Sequence, residues 1–561
     1  MRLKFGNRSK SFLSSADSTS ASASSSSPVA SPPTSPGLST SSSSLSGLSS
    51  SGPPSARLVH VPSDPFSDAF SSQPSSFSFF SPALADDAPA FGNFSQQGLR
   101  ILIIGTGFAG LSAAIACARQ GFTVTVFERT AGLSQHGDSI LFSSAASRLF
   151  HRWGVGREMW EKNNAKGGAE RWEFRRGREG EVVHEEDLSG FSKQYGAPLL
   201  QGRRAGYLGS LGTEARLLGV SIRLESEVSG YLDSEDEPAV VLKSGEIVRG
   251  DVVLVADGVH SPARDLLAPH DRPAAPKRPS GYSIHRGVAS GALLRQDKRV
   301  AHLLDGTIRT WLGKDSHLCF YPMENGRSLA VTFTHRDSSL SSSLNWRDKR
   351  SVSDLLTHLS PDEWDPTVLR ALEYFPSVLH WPVMVETPAE EWISRGGKIC
   401  FIGDSVHAMM PTSFQGGSQA VEDAATIALC LSLAGGDSLG VGLACQVYEA
   451  LRRPRVAEAQ KLGKLQQNIW HDFASSSLPT LSSTFSSLSI SSSSPSSLPT
   501  TLCLRPLSFS LYAHDAERFC LDNFVAFAAA VDPSFRVRDE RRTEAARKAG
   551  LELSGGMRKE R

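Results

Sequence analysis

A strand, a glycine-rich turn, a helix and a second strand follow one another within residues 99–128, and this succession restricts the fold more than any other feature. The run LRILIIG is apolar, as in a parallel strand that is covered on both faces. The segment LSAAIACARQG has helical spacing and ends on a glycine, and TVTVFE follows as the next strand. The sequence therefore predicts a βαβ unit and an α/β fold.

Three glycines stand where the first strand turns into the helix. Gly105, Gly107 and Gly110 form GTGFAG, which permits a tight turn, close approach of a pyrophosphate, and close packing of helix on strand. Glu128 ends the second strand, where its carboxylate can accept hydrogen bonds from ribose hydroxyls. The unit is typical of a Rossmann-like domain that binds FAD or NAD. By itself it does not show which of the two cofactors is bound. The alternative is a glycine-rich turn with a surface glutamate.

Two later segments also end an apolar strand on an aspartate. RGDVVLVADGVHSPARDLL contains Asp257, and KICFIGDSVHAMMPTSFQGG contains Asp404 and then Gly416 and Gly417. An NAD dehydrogenase needs no second acid of this kind before another glycine-rich helix start, whereas a flavin site does. We therefore favour FAD. Taken alone, Asp404 has a simpler interpretation as a helix N-cap, because aspartate is a preferred cap residue.

These motifs resemble a known family. GTGFAG with Glu128, ADGVHSPAR and GDSVHAMMPTSFQGG are similar to the three fingerprints of single-component, class A FAD-dependent monooxygenases, the aromatic hydroxylases, and nearer detail resembles the salicylate hydroxylase-like branch. The resemblance covers roughly residues 99–470. It implies an FAD-binding domain split between 98–269 and 396–470, with a β-rich substrate domain at 270–395 inserted between the two parts.

The resemblance also implies a reaction. NADH or NADPH binds transiently and reduces FAD, and the reduced flavin meets O₂ and forms a C4a-hydroperoxide. One oxygen atom then passes to an aromatic or polyketide-like small molecule. The chain has no second GxGxxG unit for a nicotinamide cofactor, which agrees with transient binding of the reductant.

Carried onto this sequence, the family pattern assigns most of the cofactor contacts. Glu128 binds the FAD ribose and Arg129 lies near the adenine. Arg204, in GRRAGYL, approaches the flavin side of the cofactor. Asp257 serves both FAD and the approach of NAD(P)H, and Asp404 binds the ribityl hydroxyls.

Two glycine segments complete the cofactor assignment. Gly416 and Gly417 match the loop whose backbone faces the flavin pyrimidine ring, and a helix N-terminus there can stabilise negative charge on reduced flavin. Gly137 marks the opposite side of the site. It stands in Gly137-Asp138-Ser139-Ile140, where the family commonly has Gly-Ala-Gly-Ile, so an extra carboxylate is expected near the cofactor.

Candidate catalytic residues occur in GYSIHRGVASGALL, which reads as a strand of the substrate domain. Removal of a phenolic proton raises electron density on the ring, and His285 has the side chain best tuned to act as that base near neutral pH. Tyr282 can relay the proton, and Arg286 can hold an anionic substrate. The alternative for Tyr282 and His285 is an ordinary sheet position with satisfied hydrogen bonds.

Composition excludes several other classes of protein. Lys plus Arg and Asp plus Glu are balanced at 58 each, which gives no reason to expect a nucleic-acid partner. The 7 cysteines have no CxxC spacing and no neighbouring histidine cluster, so we expect core thiols and no metal. The chain has no apolar run of about 18 residues, the length that a membrane span needs. The sequence does not fix the oligomeric state.

Serine-rich tracts flank and interrupt the folded part. Residues 1–97 are rich in Ser and Pro and are expected to be a disordered tail, 471–505 is a low-complexity insertion, and 506–561 is a C-terminal helical segment. We expect a cytoplasmic protein. The basic start MRLKFGNRSK leaves a mitochondrial location as the alternative.

Two other functions share parts of this pattern. A flavin-dependent halogenase has a similar cofactor fold, but none of the 9 tryptophans has another tryptophan two residues away, so the Trp-x-Trp-x-Ile-Pro segment is absent. A non-enzymatic redox-sensing or scaffold flavoprotein is the second alternative, and it predicts a flavin that NAD(P)H does not reduce.

Overall fold

The computed structural model describes residues 98–133, 139–164, 169–267, 278–337, 349–385, 389, 391–473 and 509–535. The expected disordered tail at 1–97 lies outside these ranges, as do Gly137, most of the low-complexity insertion, and residues 536–561 of the expected helical segment.

The strands of the described residues are short apart from those of one large sheet. In chain order they are β1 (Arg100–Ile104), β2 (Thr123–Phe127), β3 (Ser139–Phe142), β4 (Arg171–Arg176), β5 (Val182–Asp187), β6 (Leu200–Arg203), β7 (Ser221–Arg223), β8 (Val228–Leu232), β9 (Ala239–Leu242), β10 (Ile247–Arg249), β11 (Val252–Val255), β12 (Arg278–Ser290), β13 (Ile308–Gly313), β14 (Ser316–Met323), β15 (Ser328–Arg336), β16 (Lys349–Arg350), β17 (Val378–Val385) and β18 (Ile399–Phe401).

The helices include two long ones near the end of the folded part. In chain order they are α1 (Phe108–Arg119), α2 (Ser144–Arg152), α3 (Gly156–Asn164), α4 (Phe191–Tyr195), α5 (Arg204–Leu217), α6 (Gly291–Leu294), α7 (Val352–Leu356), α8 (Pro366–Leu372), α9 (Asp404–His407), α10 (Gly416–Leu433), α11 (Val441–Phe473), α12 (Phe509–Ala513) and α13 (Ala516–Val531).

A five-stranded sheet forms the first core, in the order β18-β11-β1-β2-β7. All of its strand pairs are parallel. The predicted α/β fold with a parallel sheet is therefore confirmed. Because β1, β11 and β18 are neighbours, their carboxyl ends meet at one edge of the sheet, which is where ligands bind in open α/β sheets. All three cofactor motifs of the sequence begin at this edge.

An eight-stranded sheet forms the second layer, in the order β16-β17-β12-β15-β14-β13-β4-β5. Its strand pairs are antiparallel, except for the parallel pair β13 and β4. The sequence places the substrate sheet within residues 270–395. In the structure β4 and β5 join it from residues 171–187, because a strand can pair with partners from any part of the chain.

The two faces of this large sheet pack against different elements. One side, called the front face below, carries Trp172, Cys319 and Tyr321 and packs against Met409 and Phe414 of the loop before α10. The other side, called the back face, contributes to a separate apolar cluster. The larger members of this cluster are Trp311, Phe320, Phe333, Leu355, Trp364 and Val368. The back face is therefore covered by α7 and α8 and their neighbouring segments.

The helices α10, α11 and α13 pack together beside the parallel sheet. Cys430 of α10 and Cys520 of α13 lie with their sulfur atoms 3.6 Å apart in this core. The cysteines within the described ranges are all buried free thiols, as expected for core positions. Among the helices that the structure describes, none is long and apolar enough to cross a membrane.

Candidate functional site

The turn after β1 leaves room for a pyrophosphate at the start of α1. Gly105 has a φ of +100°, and a Cβ on it would lie 2.8 Å from the carbonyl oxygen of Ala256. A Cβ on Gly110 would overlap the carbonyl oxygen of Gly105. A Cβ on Gly107, by contrast, would meet nothing within 4 Å. No side chain caps α1, so its first N–H groups remain available to an anion.

Glu128 follows β2 and is held at the same edge of the sheet. Its Oε2 accepts hydrogen bonds from the N–H and hydroxyl of Thr106 at 3.1 and 2.6 Å, and its Oε1 accepts those of Thr130 at 3.0 and 2.7 Å. Burial acts to raise the pKa of Glu128, but these bonds outweigh it and the pKa is lowered. The carboxylate is therefore ionised and fixed as an acceptor. The side chain of Arg129 is exposed next to it.

Arg204 reaches the same helix end from another part of the chain. It is the first residue of α5, and its guanidinium carbon lies 4.8 Å from the ring centroid of Phe108. Phe108 is the first residue of α1. This contact places a positive charge beside the glycine turn, where a pyrophosphate would carry negative charge.

Asp257 lies at the end of the neighbouring strand β11. Gly258 follows it with a φ of +85°, which turns the chain away from the sheet edge. Further along this motif, Nη1 of Arg264 donates a hydrogen bond to the carbonyl oxygen of Ser405 at 3.1 Å. The motif around Asp257 is therefore tied to α9, which begins at Asp404.

The Asp404 carboxylate lies near the start of α10. Gly403, with a φ of +63°, occupies the N-cap position of α9, so Asp404 does not act as the cap. A Cβ built on Gly416 would lie 4.0 Å from Oδ1 of Asp404. The side chain of Gln415 makes no capping bond to α10, so the first N–H groups of this helix point into the site without a side-chain cap.

The start of α10 also lies against β3. A Cβ on Gly417 would lie 3.0 Å from Cε1 of Phe142 and 3.1 Å from Cδ1 of Ile140. Gly417 is therefore required for close packing as well as for access to the site. The expected contact from Gly137, just before β3, falls outside the described residues, and its role stays a prediction.

A buried charged network behind the site was not anticipated from the sequence. Asp423 of α10 accepts hydrogen bonds from the Gly403 backbone at 2.9 Å, His407 at 2.5 Å and Arg452 at 2.8 Å. Burial acts to raise the pKa of Asp423, but the neighbouring His407 and Arg452 hold the pKa at about 2. The ionised carboxylate thus fixes the backbone just before Asp404. The sequence feature that could have indicated this network is the pair of adjacent acids inside an apolar helix, in AVEDAA.

The adjacent carboxylate, Glu422, joins α10 to α11. It pairs with Nη1 of Arg452 at 2.7 Å and with Nε of Arg455 at 2.5 Å, and all three side chains are buried. Both arginines belong to the segment YEALRRPR. The network anchors α10, whose first turn faces the site.

The three candidate catalytic residues do not share one face of the sheet. Successive side chains of a strand point to opposite faces. The Tyr282 ring contacts that of His471 of α11 with centroids 5.1 Å apart, and Arg286, four residues further along the regular strand, is on the same face. His285 stacks on His380 and contacts Phe333 of the back-face cluster. The structure therefore places Tyr282 and Arg286 on one face of the sheet and His285 on the other.

The environment of His285 also differs from that of a catalytic base. The side chain is only 1% exposed. Burial, followed by the neighbouring His380, lowers the pKa of His285 to about 2. A base for a phenol works best with a pKa near the working pH. The sequence predicts that His285 removes a phenolic proton. In the structure its side chain lies on the back face, and its ring is weakly basic.

The front face provides an aromatic wall with a few polar groups. Phe414, from the loop before α10, meets Trp172 of β4 edge to face with ring centroids 4.9 Å apart. Arg286 lies close enough to Cys319 to act on its thiol, whose pKa is nonetheless raised to about 11, chiefly by burial. Tyr321 is the next residue of β14 on the same face and also contacts the Cys319 thiol.

Two histidines on this face were not singled out from the sequence. Nδ1 of His317 lies 2.9 Å from Nε2 of His471, whose ring contacts that of Tyr282. Burial lowers the pKa of His471 to about 4. Nothing in the local sequence relates β14 to the end of α11, so this pair required the tertiary structure.

Comparisons with known proteins identify the family and relatives of the chain. Residues 99–461 match the family described as FAD binding domain. Asperlicin C monooxygenase of Petromyces alliaceus is 29% identical over 386 residues, which cover 67% of this chain and 81% of the relative. The FAD-dependent monooxygenase okaB of Penicillium ochrochloron is 31% identical over 392 residues, which cover 65% of this chain and 80% of the relative.

Solved structures show the same fold. The crystal structure of CtdE in complex with FAD and substrate has a TM-score of 0.65 at 23% identity and covers 77% of this chain and 99% of that chain. A salicylate hydroxylase substrate complex has a TM-score of 0.57 at 22% identity and covers 67% of this chain and 90% of that chain.

Proposed function

Because this chain belongs to the FAD-dependent monooxygenases of the FAD binding domain family, we propose that it hydroxylates an aromatic or polyketide-like small molecule, with NADH or NADPH as reductant and O₂ as co-substrate. The observation that carries the proposal is the contact of Phe414 with Trp172 at 4.9 Å. It sets the loop before α10 against the aromatic front face, so a flat apolar molecule bound beside this pair of rings would lie next to the flavin position.

The residues present fit FAD. Room at Gly107, an uncapped α1 and the ionised Glu128 suit its pyrophosphate and ribose. Asp404 beside the uncapped start of α10 suits its ribityl chain and ring. When bound and reduced, FAD supplies the reaction with O₂. The chain's own contribution is to hold the cofactor, exclude water and orient the substrate.

Substrate orientation is assigned to the front face. Arg286 would pair with a carboxylate or phenolate of the substrate, because a guanidinium binds planar anions through two hydrogen bonds. Cys319 lies near it and Tyr321 contacts the Cys319 thiol, so both side chains would border the substrate. Trp172 and Phe414 would cover the substrate ring.

Proton handling is assigned to Tyr282 together with His471 and His317. The ring centroids of Tyr282 and His471 lie 5.1 Å apart, and Nε2 of His471 lies 2.9 Å from Nδ1 of His317, so a proton can pass between the two histidines beside Tyr282. His285 is left out of the chemistry because it lies on the back face, among the side chains of the other cluster.

A substrate screen tests the proposal. The purified full-length chain, loaded with FAD, is mixed with phenols and phenolic acids while NADH or NADPH oxidation is followed. We expect at least one compound to accelerate oxidation and to yield a product that carries one atom of ¹⁸O from labelled O₂. If no aromatic compound accelerates flavin reduction, the aromatic substrate class is rejected. If oxidation is accelerated but only hydrogen peroxide forms with every compound, the hydroxylase assignment fails.

A further inference from the structure

A cluster of histidines lies on the back face of the large sheet, away from the cofactor motifs. His285 of β12, His335 of β15 and His358, which follows α7, each present one ring nitrogen, and these three atoms all lie within 4.8 Å of one another. We call these residues the histidine triad. They are far apart in the sequence, and strand pairing and the packing of α7 bring them together.

The ring nitrogens of the triad lie close enough together for one ion to contact all three. His335 Nδ1 lies 3.0 Å from the carbonyl oxygen of Arg336, which fixes the proton on Nδ1 and leaves the lone pair on Nε2. A backbone carbonyl holds many metal-binding histidines in this way. Nε2 of His335 and Nδ1 of the fully buried His285 have no hydrogen-bond partner among the described residues. Buried polar atoms without a partner are uncommon and require an explanation.

The charges around the triad are mixed. The positive charge of Arg350 acts on His285 and His380, whereas the carboxylates of Asp337 and Asp354 act on His380 in the opposite direction. His380 stacks on His285 with ring centroids 4.0 Å apart. Within the triad, the carboxylate of Asp337 acts on His335, whereas Arg350 is the charged group that acts on His285.

The triad is also open on one side. His335 and His358 line a cavity of about 780 Å³, which Asp362 and Glu363 also border. His358 is exposed, whereas His285 and His335 are buried. An ion can thus reach the buried nitrogens from solvent past His358.

We propose that the histidine triad binds one divalent transition-metal ion of the type that prefers imidazole, with Zn²⁺ as the physiological candidate. Zn²⁺ takes neutral histidine nitrogens at about 2.0–2.1 Å and is satisfied by three protein ligands with water in the fourth position. The cavity beside His358 supplies room for that water. Carboxylate-preferring ions such as Mg²⁺ and Ca²⁺ do not fit three imidazoles.

The bound ion would join the segment after α7 to two strands, β12 and β15, that already pair with each other in the sheet. His358 lies just beyond α7, and the other two ligands lie on β12 and β15. Ions that bind the folded state and not the unfolded chain stabilise the folded state in proportion to their affinity. The site therefore supports the sheet from the back face, and it takes no part in the oxygen chemistry on the front face.

A direct binding measurement tests the site. Full-length, FAD-loaded protein is freed of metal with a chelator, and Zn²⁺ is titrated by calorimetry. Co²⁺ is added in parallel, because its visible spectrum reports coordination geometry. We expect one Zn²⁺ per chain, a Co²⁺ spectrum of a four-coordinate site, and a rise in the melting temperature on Zn²⁺ addition.

Two variants and one matched control make the assignment specific. His358→Ala changes an exposed side chain, and His335→Gln keeps the size of a buried one. Each is expected to weaken Zn²⁺ binding by at least about 100-fold, because loss of an outer hydrogen-bond partner alone costs about 10–100-fold. His302→Ala, an exposed histidine of the same domain outside the triad, should bind like the wild type.

The outcomes separate clearly. Wild-type protein without saturable Zn²⁺ binding overturns the proposal. Zn²⁺ binding that persists in His358→Ala also overturns the proposal. The same holds if His302→Ala weakens Zn²⁺ binding as strongly as the triad variants do. Flavin absorbance and the circular dichroism spectrum show whether each variant is folded, and His358→Ala keeps the test valid if His335→Gln does not fold.

Discussion

The carboxylate of Asp423 accepts a hydrogen bond from the backbone N–H of Gly403 at 2.9 Å, which ties the middle of α10 to the residue just before Asp404. The first turn of α10 carries Gly416, and a Cβ there would lie 4.0 Å from Oδ1 of Asp404. One helix therefore sets both the acid proposed for the ribityl chain and the N–H groups proposed for the flavin ring. Changes inside α10 should act on the cofactor without touching it.

The glycines of the first turn should separate folding from cofactor binding. Gly110→Ala places a Cβ on the carbonyl oxygen of Gly105, so we expect a large loss of thermal stability with or without FAD. Gly107→Ala meets nothing in the protein, so it should melt like the wild type without FAD and bind FAD more weakly. Apoprotein melting and FAD titration measure the two effects. A Gly107→Ala variant that binds FAD normally would show that the pyrophosphate lies elsewhere.

Loss of the Glu128 carboxylate should weaken FAD binding. A hydrogen bond to a charged group contributes about 1.5–3 kcal/mol, so Glu128→Ala is expected to raise the dissociation constant by roughly 10–100-fold. Quenching of flavin fluorescence on addition of apoprotein gives the constant. Glu246→Ala removes an exposed acid near Arg223 and serves as the control. Equal effects of the two changes would contradict a direct contact of Glu128 with the cofactor.

The stability of the buried network should depend on pH in the acid range. Burial acts to raise the pKa of Glu422, but Arg455 and Arg452 outweigh it and lower the pKa from 4.5 to about 2. A lowered pKa stabilises the fold above the unfolded value, and this contribution is lost as pH falls toward the folded value. The free energy of unfolding that Glu422 contributes is therefore complete above about pH 5 and declines toward pH 2.

Glu422→Gln tests this dependence. Removing one partner of a buried ion pair costs about 3–5 kcal/mol, so the variant should be less stable than the wild type at neutral pH by about that amount. Urea unfolding across pH 7 to pH 2 should show the difference shrinking below about pH 5. Asp522→Asn, which alters an exposed pair with Arg518, is the control. A difference that stays constant with pH would contradict the assigned ionisation of Glu422.

Arg286 should matter for anionic substrates and leave the cofactor in place. For a phenolic acid found by the screen, Arg286→Gln is expected to lower kcat/KM by roughly 10–100-fold, mainly through a higher KM, because a charge-assisted hydrogen bond contributes about 1.5–3 kcal/mol. Arg327→Gln, an exposed arginine at the end of the same sheet, is the control. If both variants turn the substrate over like the wild type, Arg286 does not hold it.

The sequence alone was sufficient for the fold class and the cofactor family. GTGFAG, ADGVHSPAR and the stretch from Asp404 to Gly417 each follow an apolar strand, and such local patterns record the turn and the helix start directly. The parallel order of β1, β11 and β18 then brings the motifs to one edge. The extent of the large sheet was harder to predict from the sequence, because β4 pairs with β13 through residues 136 positions apart, such as Trp172 and Ile308.

What the tertiary structure decided is which side chains meet. Tyr282, His285 and Arg286 are close in sequence, but the alternation of a strand puts His285 on the back face. The same alternation, with the packing of α7, gathers His285, His335 and His358, where the sequence predicted no metal site. The pairing of Glu422 and Asp423 with arginines of α11 likewise depends on helix packing. Local sequence determines local backbone, whereas contacts between distant segments are determined by how those segments pack.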